Sequence, residues 1–161
     1  CRHTDLNGGT IAEQYFWMGN TTAAASTSTD FLNNTAPTAT HVTLGSGPQA
    51  NSSGQQIVGM LFRSVSGISF VSSYIGNDSA SGPSIDCGFQ PRLIWIKRTD
   101  NTSNWMLYDS ERGFNKCYFT NSNEAQETAT RFSVTSTGFD ITSAASVINN
   151  NGDRFVFYAH A

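Results

Sequence analysis

The apolar residues of this chain come in short or alternating runs, each closed by Gly, Asn, Ser or Asp. Short strands joined by polar turns are what such punctuation allows. Strands are predicted near residues 14–18, 41–44, 56–62, 69–75, 92–99, 104–109, 116–120, 131–135, 139–141 and 154–159. About a third of the chain is Ser, Thr or Asn. These residues bond their own backbone in turns and are poor inside helices, whereas Thr and the aromatics sit well on pleated surfaces. Only "NSNEAQETATR" could hold a helical turn, and its Thr content makes a loop the better reading. The predicted fold class is all-β, an antiparallel β-sandwich of jelly-roll or Ig-like type, in tandem modules.

At 161 residues the chain can bury one ordinary core or two small ones. A net charge of -3, with 13% charged residues, gives no basic footprint for phosphates or anionic lipid, so nucleic acid is not an expected partner. No apolar run approaches the ~20 residues of a membrane span, and no membrane insertion is expected. Cys1, Cys87 and Cys117 show neither CxxC nor Cys/His spacing, so no zinc site, metal or other cofactor is signalled. Buried free thiols are expected, with a Cys87–Cys117 bridge as the alternative. The opening "CRHTDLNGG", without an initiator Met, reads as the middle of a longer polypeptide.

Two segments end alike, "HVTLGSGPQANSSGQQIVGMLF" (41–62) and "GFDITSAASVINNNGDRFVFYAH" (138–160). Their turn glycines, Gly54 and Gly152, set a period of 152 − 54 = 98 residues. "CRHTD" (1–5) and "IKRTD" (96–100) agree more weakly. Residues 1–62 then read as the C-terminal half of a preceding repeat, with a long polar loop at 19–40, and 63–161 as a complete one. A period this long means tandem modules rather than solenoid turns.

The stretch "IKRTDNTSNWMLYDSERG" reads as a hairpin. A four-residue turn at 100–103 would set Arg98 opposite Trp105, Ile96 opposite Leu107 and Trp95 opposite Tyr108. Alternation then puts Ile94, Ile96, Arg98, Trp105, Leu107 and Asp109 on one face, and Trp95, Lys97, Met106 and Tyr108 on the other. Large groups on both faces mark a central hairpin. Arg98 would stack on Trp105, and Asp109 or Glu111 would pair with Arg112 or Arg98 ahead of Gly113.

Sharper chemistry fits poorly. Asp100, Thr102, Asn104 and Glu111 have the spacing of a calcium loop, but Trp105 stands where the sharp turn needs Gly. Asp109 and Glu111 are two apart on one strand face, whereas glycosidase carboxylates flank the sugar from opposite sides. His3, His41 and His160 are scattered, with no nucleophile motif near them. The chain is not expected to be an enzyme. A carbohydrate platform is the rival reading, with Trp17, Trp105 and Tyr108 as candidate contacts, because rings on a sandwich can stack on sugars beside Asn and Asp.

The run from "FRSVSGISFVSSYIGN" through "GFQPRLIWIKRTDNTSNWMLYDSERG" resembles a β-rich module of tailed-phage structural proteins. The matching positions include Gly67, Tyr74, Gly76, Asn77, Gly82, Pro83, Gly88, Phe89, Pro91, Lys97, Arg98, Asp100, Trp105, Asp109, Arg112, Gly113 and Gly152; "CYFTN" departs from the pattern. The resemblance implies a virion protein of a tail fibre, appendage or head surface, displayed outside the cell. Its implied partners are other virion proteins and copies of itself. A host glycan or receptor is the partner in the alternative reading, and a secreted adhesin or filament subunit uses the same physics.

Overall fold

The computed structural model describes residues 3, 9–16 and 19–161. The chain divides into two compact units, Cys1–Met18 with Ala25–Leu61, and Gly19–Ala24 with Phe62–Ala161. In the smaller unit a 3-10 turn, Ala12–Gln14, leads into β1 (Tyr15–Phe16), which pairs antiparallel with β2 (Ser26–Thr27). A four-residue helix, α1 (Pro48–Asn51), follows. Ala12, Leu32 and Ala50 are buried. Leu32 lies inside the stretch expected to be a polar surface loop. The strands expected at 41–44 and 56–62 do not form. Both have strand-like sequence, but a strand exists only with a ladder partner, and neither segment has one among the described residues.

The larger unit holds β3 (Ser69–Ile75), β4 (Ser84–Asp86), β5 (Leu93–Arg98), β6 (Met106–Asp109), β7 (Lys116–Phe119), β8 (Glu127–Thr128), β9 (Phe132–Val134), β10 (Gly138–Ile141), α2 (Ser146–Asn149) and β11 (Arg154–His160). Six strands form one sheet in the order β3-β11-β5-β6-β7-β8, and three form another, β4-β10-β9. Every pairing is antiparallel. The chain is thus all-β, with a sandwich-type fold. Phe155, Phe157 and Ala159 alternate along β11 into the core, where they meet Phe132, Phe139 and Ile141 of the smaller sheet. Phe139 stands edge-on to Phe157 at 5.3 Å, the arrangement that ring quadrupoles favour.

The β5–β6 hairpin pairs one residue away from the predicted register. Trp95 lies opposite Leu107, not Tyr108, and Ile96 lies opposite Met106, not Leu107. A one-residue slip turns a whole strand over. Met106 and Tyr108 therefore join Ile94 and Ile96 in the core, while Leu107 and Asp109 take the side of Trp95. Full burial of such side chains is worth about 1.5–3 kcal/mol each, which favours this register. The connection 99–105 is also wider than a four-residue turn, because the Ser103 N–H donates to Thr22 O at 2.9 Å.

Arg98 consequently does not stack on Trp105. It pairs with Asp153, with Asp100 at 3.7 Å. Asp109 does pair with Arg112 and holds the turn before Gly113, accepting from the Arg112 backbone at 2.9 Å and from Arg112 Nε at 2.7 Å. Arg112 in turn lies 4.5 Å over the Tyr118 ring.

The turn carrying α2 is built around Asn149, which is wholly buried. Its Nδ2 donates to Ser79 O at 2.8 Å and to Ser143 O at 2.9 Å, and its Oδ1 accepts from the Asn77 N–H at 2.9 Å. The loop 76–82 is thereby clamped against the turn. Gly76 is obligatory here, since a Cβ would sit 2.2 Å from Asn150 O.

Candidate functional site

Of the aromatics proposed from sequence as ligand contacts, Trp17 lies outside the described residues. Trp105 and Tyr108 are both buried, with 6% and 0% of their surface exposed. Tyr108 stands edge-on to Phe132 at 4.8 Å, and its hydroxyl accepts from Arg131 Nη1 at 3.2 Å. Neither ring offers a stacking face in this conformation.

The half-exposed rings lie instead on the outer face of the six-stranded sheet. Pairing of β11 with β5 sets Tyr158 beside Trp95. Phe62 covers both, 4.9 Å from Tyr158 and 6.2 Å from Trp95, and Trp105 packs 5.0 Å from Trp95. Polar groups flank the strip: Trp95 Nε1 donates to Thr120 Oγ1 at 3.2 Å, and the Tyr158 hydroxyl lies 3.0 Å from His160 Nδ1. Sequence reasoning missed Tyr158 and Phe62, because Tyr158 reaches Trp95 only through the long-range β5–β11 register and Phe62 only by packing over both rings.

A separate concavity of about 410 Å³ is lined by Thr22, Ser103, Asn104, Phe119, Glu127 and Arg131, among others. Arg131 Nη2 donates to Glu127 at 2.7 Å. Burial works against the Arg131 charge, but Glu127 and Tyr108 outweigh it and hold the guanidinium protonated. Burial likewise pushes the Tyr108 phenol up, with Arg131 opposing. Lys97 is fully buried, and its Nζ donates to Ser103 O at 2.9 Å and Thr22 O at 3.2 Å. Burial, helped by neighbouring Arg98 and opposed by Asp100, brings its pKa down to about 8. With two backbone carbonyls around it, this amine ties the 99–105 connection to Thr22.

Cys87 and Cys117 are both free and buried, so the alternative bridge is not formed; Cys1 lies outside the described residues. Burial, with Asp86 nearby, pushes the Cys87 thiol up to about 11. Burial also raises Cys117, against hydrogen bonding from Tyr108 and the charge of Arg131. Both shifts lower the thiolate fraction and so run opposite to nucleophile activation. Asp100, from the calcium-like spacing, accepts the Arg154 N–H at 2.8 Å and lies near Arg98. Among the described residues no group of three or more His, Cys, Asp or Glu is placed to hold a metal ion. Among them, too, no helix is long and apolar enough to cross a membrane.

A family profile matches residues 2–161, and the chain belongs to that family, described as a domain of unknown function, DUF7483. No curated protein and no solved structure matches it.

Proposed function

We propose that this chain is a non-enzymatic structural module of a tailed-phage particle, part of a tail fibre, an appendage or the head surface, and that it acts in assembly and display. The observation that carries the proposal is where the distinctive residues of the "IKRTD…W…DSERG" stretch go. Tyr108 is packed into the core, Trp105 is buried against Trp95, Arg98 and Asp109 close turns, and Lys97 binds backbone carbonyls. Each holds the sheet together. The phage-module resemblance of the same stretch supplies the setting, and the outer surface of the virion follows as its location. The test is proteomics of nuclease-treated, density-banded particles from a host culture that carries the gene. Peptides of this chain should band with the particles in constant ratio to the shell protein; their presence only in the lysate would sink the proposal.

A carbohydrate- or host-receptor-binding role is the second reading, favoured by the half-exposed Trp95, Tyr158 and Phe62 strip with Thr120 and His160 at its margins. On this reading a glycan array gives hits that Trp95→Ala abolishes. A blank array, or hits indifferent to that substitution, removes it.

A further inference from the structure

The turn that carries α2 occurs twice in the chain. α1 and α2 begin 146 − 48 = 98 positions apart. Each is preceded by an extended residue, Gly47 (φ −61°, ψ 134°) and Ala145 (φ −60°, ψ 126°), and followed by another, Ser52 and Asn150. Their backbone bonds correspond one for one. Ala50 and Asn51 donate to Gly47 O as Ile148 and Asn149 donate to Ala145 O, and Gln55 donates to Ser52 O as Asp153 does to Asn150 O. Gly54 and Gly152 both take positive φ, 73° and 79°. At the same offset Asn51 matches Asn149, and Val58 matches Val156.

In the larger unit these residues have partners. Asn149 clamps the loop 76–82, and the residues after Gly152 become β11, hydrogen-bonded between β3 and β5. In the smaller unit Asn51 is exposed, and residues 56–61, with Phe62 of the larger unit after them, form no strand. Val58 is 92% exposed, Leu61 82% and Met60 77%. Contiguous exposure of this kind on an apolar segment marks an interaction site. Among the described residues, the clamp without a loop and the strand without neighbours lack the same piece, a strand–loop–strand segment like residues 69–98. Residues 1–61 contain no sequence of that pattern.

We propose that residues 56–62 are the central strand of a second sheet, completed by a segment of the 69–98 type that a neighbouring module of the same family supplies. The supplied strands flank 56–62 as β3 and β5 flank β11, and the supplied loop seats on Asn51. By the same correspondence Ile57 and Leu61 turn into the shared core, in the places of Phe155 and Ala159. The inference does not depend on the virion reading.

The test is amide hydrogen exchange, read by mass spectrometry, on two chains. One is residues 1–161; the other has residues 63–100 joined ahead of Leu6, so that "IKRTD" replaces "CRHTD". Amides of 57–61 are expected to exchange at least about 100-fold more slowly in the extended chain, as strand amides do, and Asn51→Ala should reverse part of that protection. Coil-like exchange of 57–61 in the extended chain, with β11 still protected, overturns the proposal. So does protection already present in residues 1–161 and independent of concentration, which makes the pairing internal to the chain; protection that depends on concentration supports the proposal and makes a second copy the neighbouring module. Should the extension unfold β11, a synthetic peptide of residues 69–98 carrying Cys87→Ser is added to residues 1–161 instead, and protection or its absence is read in the same way.

Discussion

Replacing Asn149 with alanine is expected to cost about 3 kcal/mol of stability, and the same replacement at Asn51 less than about 0.5 kcal/mol. Asn149 makes three side-chain hydrogen bonds from a fully buried position. Truncation leaves the Asn77 N–H and the Ser79 and Ser143 carbonyls without a partner. Each orphaned buried group costs about 1–3 kcal/mol, the lower figure where water can reach it, as it can at the exposed end of this loop. Asn149→Asp keeps the acceptor for Asn77 but turns a carboxylate toward two carbonyls, so it should be at least as damaging. Asn51 occupies the corresponding position in an exposed turn and makes no side-chain hydrogen bond among the described residues. Urea unfolding gives both numbers, followed for Asn149 by the fluorescence of Trp95 and Trp105 in the larger unit and for Asn51 by circular dichroism of the whole chain. A loss at Asn149 below about 1 kcal/mol would mean that the loop 76–82 holds itself without the clamp.

What could be read from sequence follows the range of the interactions involved. β3, predicted at 69–75, forms over those residues because alternation and local turn chemistry suffice to define it. The turns at Gly54 and Gly152 were legible because positive φ leaves a glycine behind it. The register of β5 against β6 was not legible. It depends on Lys97 and Ser103 meeting Thr22, some 75 positions before Lys97 in the chain, and no hairpin rule contains that contact. β4 and β8 are three and two residues long and carry no pattern of their own; they are strands only because β10 and β7 bind them. The reverse holds at 56–62, where the expected strand does not form because its strand-like sequence finds no ladder partner among the described residues. The burial of Trp105 and Tyr108 was hidden from sequence for the same reason. A Trp or Tyr looks alike in sequence whether its strand face is covered or free, and the register that hides Tyr108 is the one that the turn could not reveal.

Lys97→Met should remove a rise in stability with pH that the native chain owes to this one amine. The folded Lys97 releases its proton near pH 8, against an ordinary value of 10.5. Between those values the unfolded chain binds more protons than the folded one, so stability climbs with pH by up to about 1.4 kcal/mol per unit, about 3 kcal/mol in all. Below pH 8 both states carry the charge and the folded state bears its full desolvation; above 10.5 neither does. The total curve will not show this cleanly. Cys87, pushed up to about 11, and the raised phenols of Tyr74 and Tyr108 keep their protons longer when folded, so they lower stability as pH rises past about 9. These contributions are shared by native chain and variant, and subtraction removes them. Methionine also leaves the Thr22 and Ser103 carbonyls without their donor, an offset that does not change with pH. The stability of the native chain relative to Lys97→Met should therefore increase steadily from pH 8 to 10.5. A difference that stays flat across this window would place the ammonium in water in the folded state, and the link from Lys97 to Thr22 could not then be what sets the β5–β6 register.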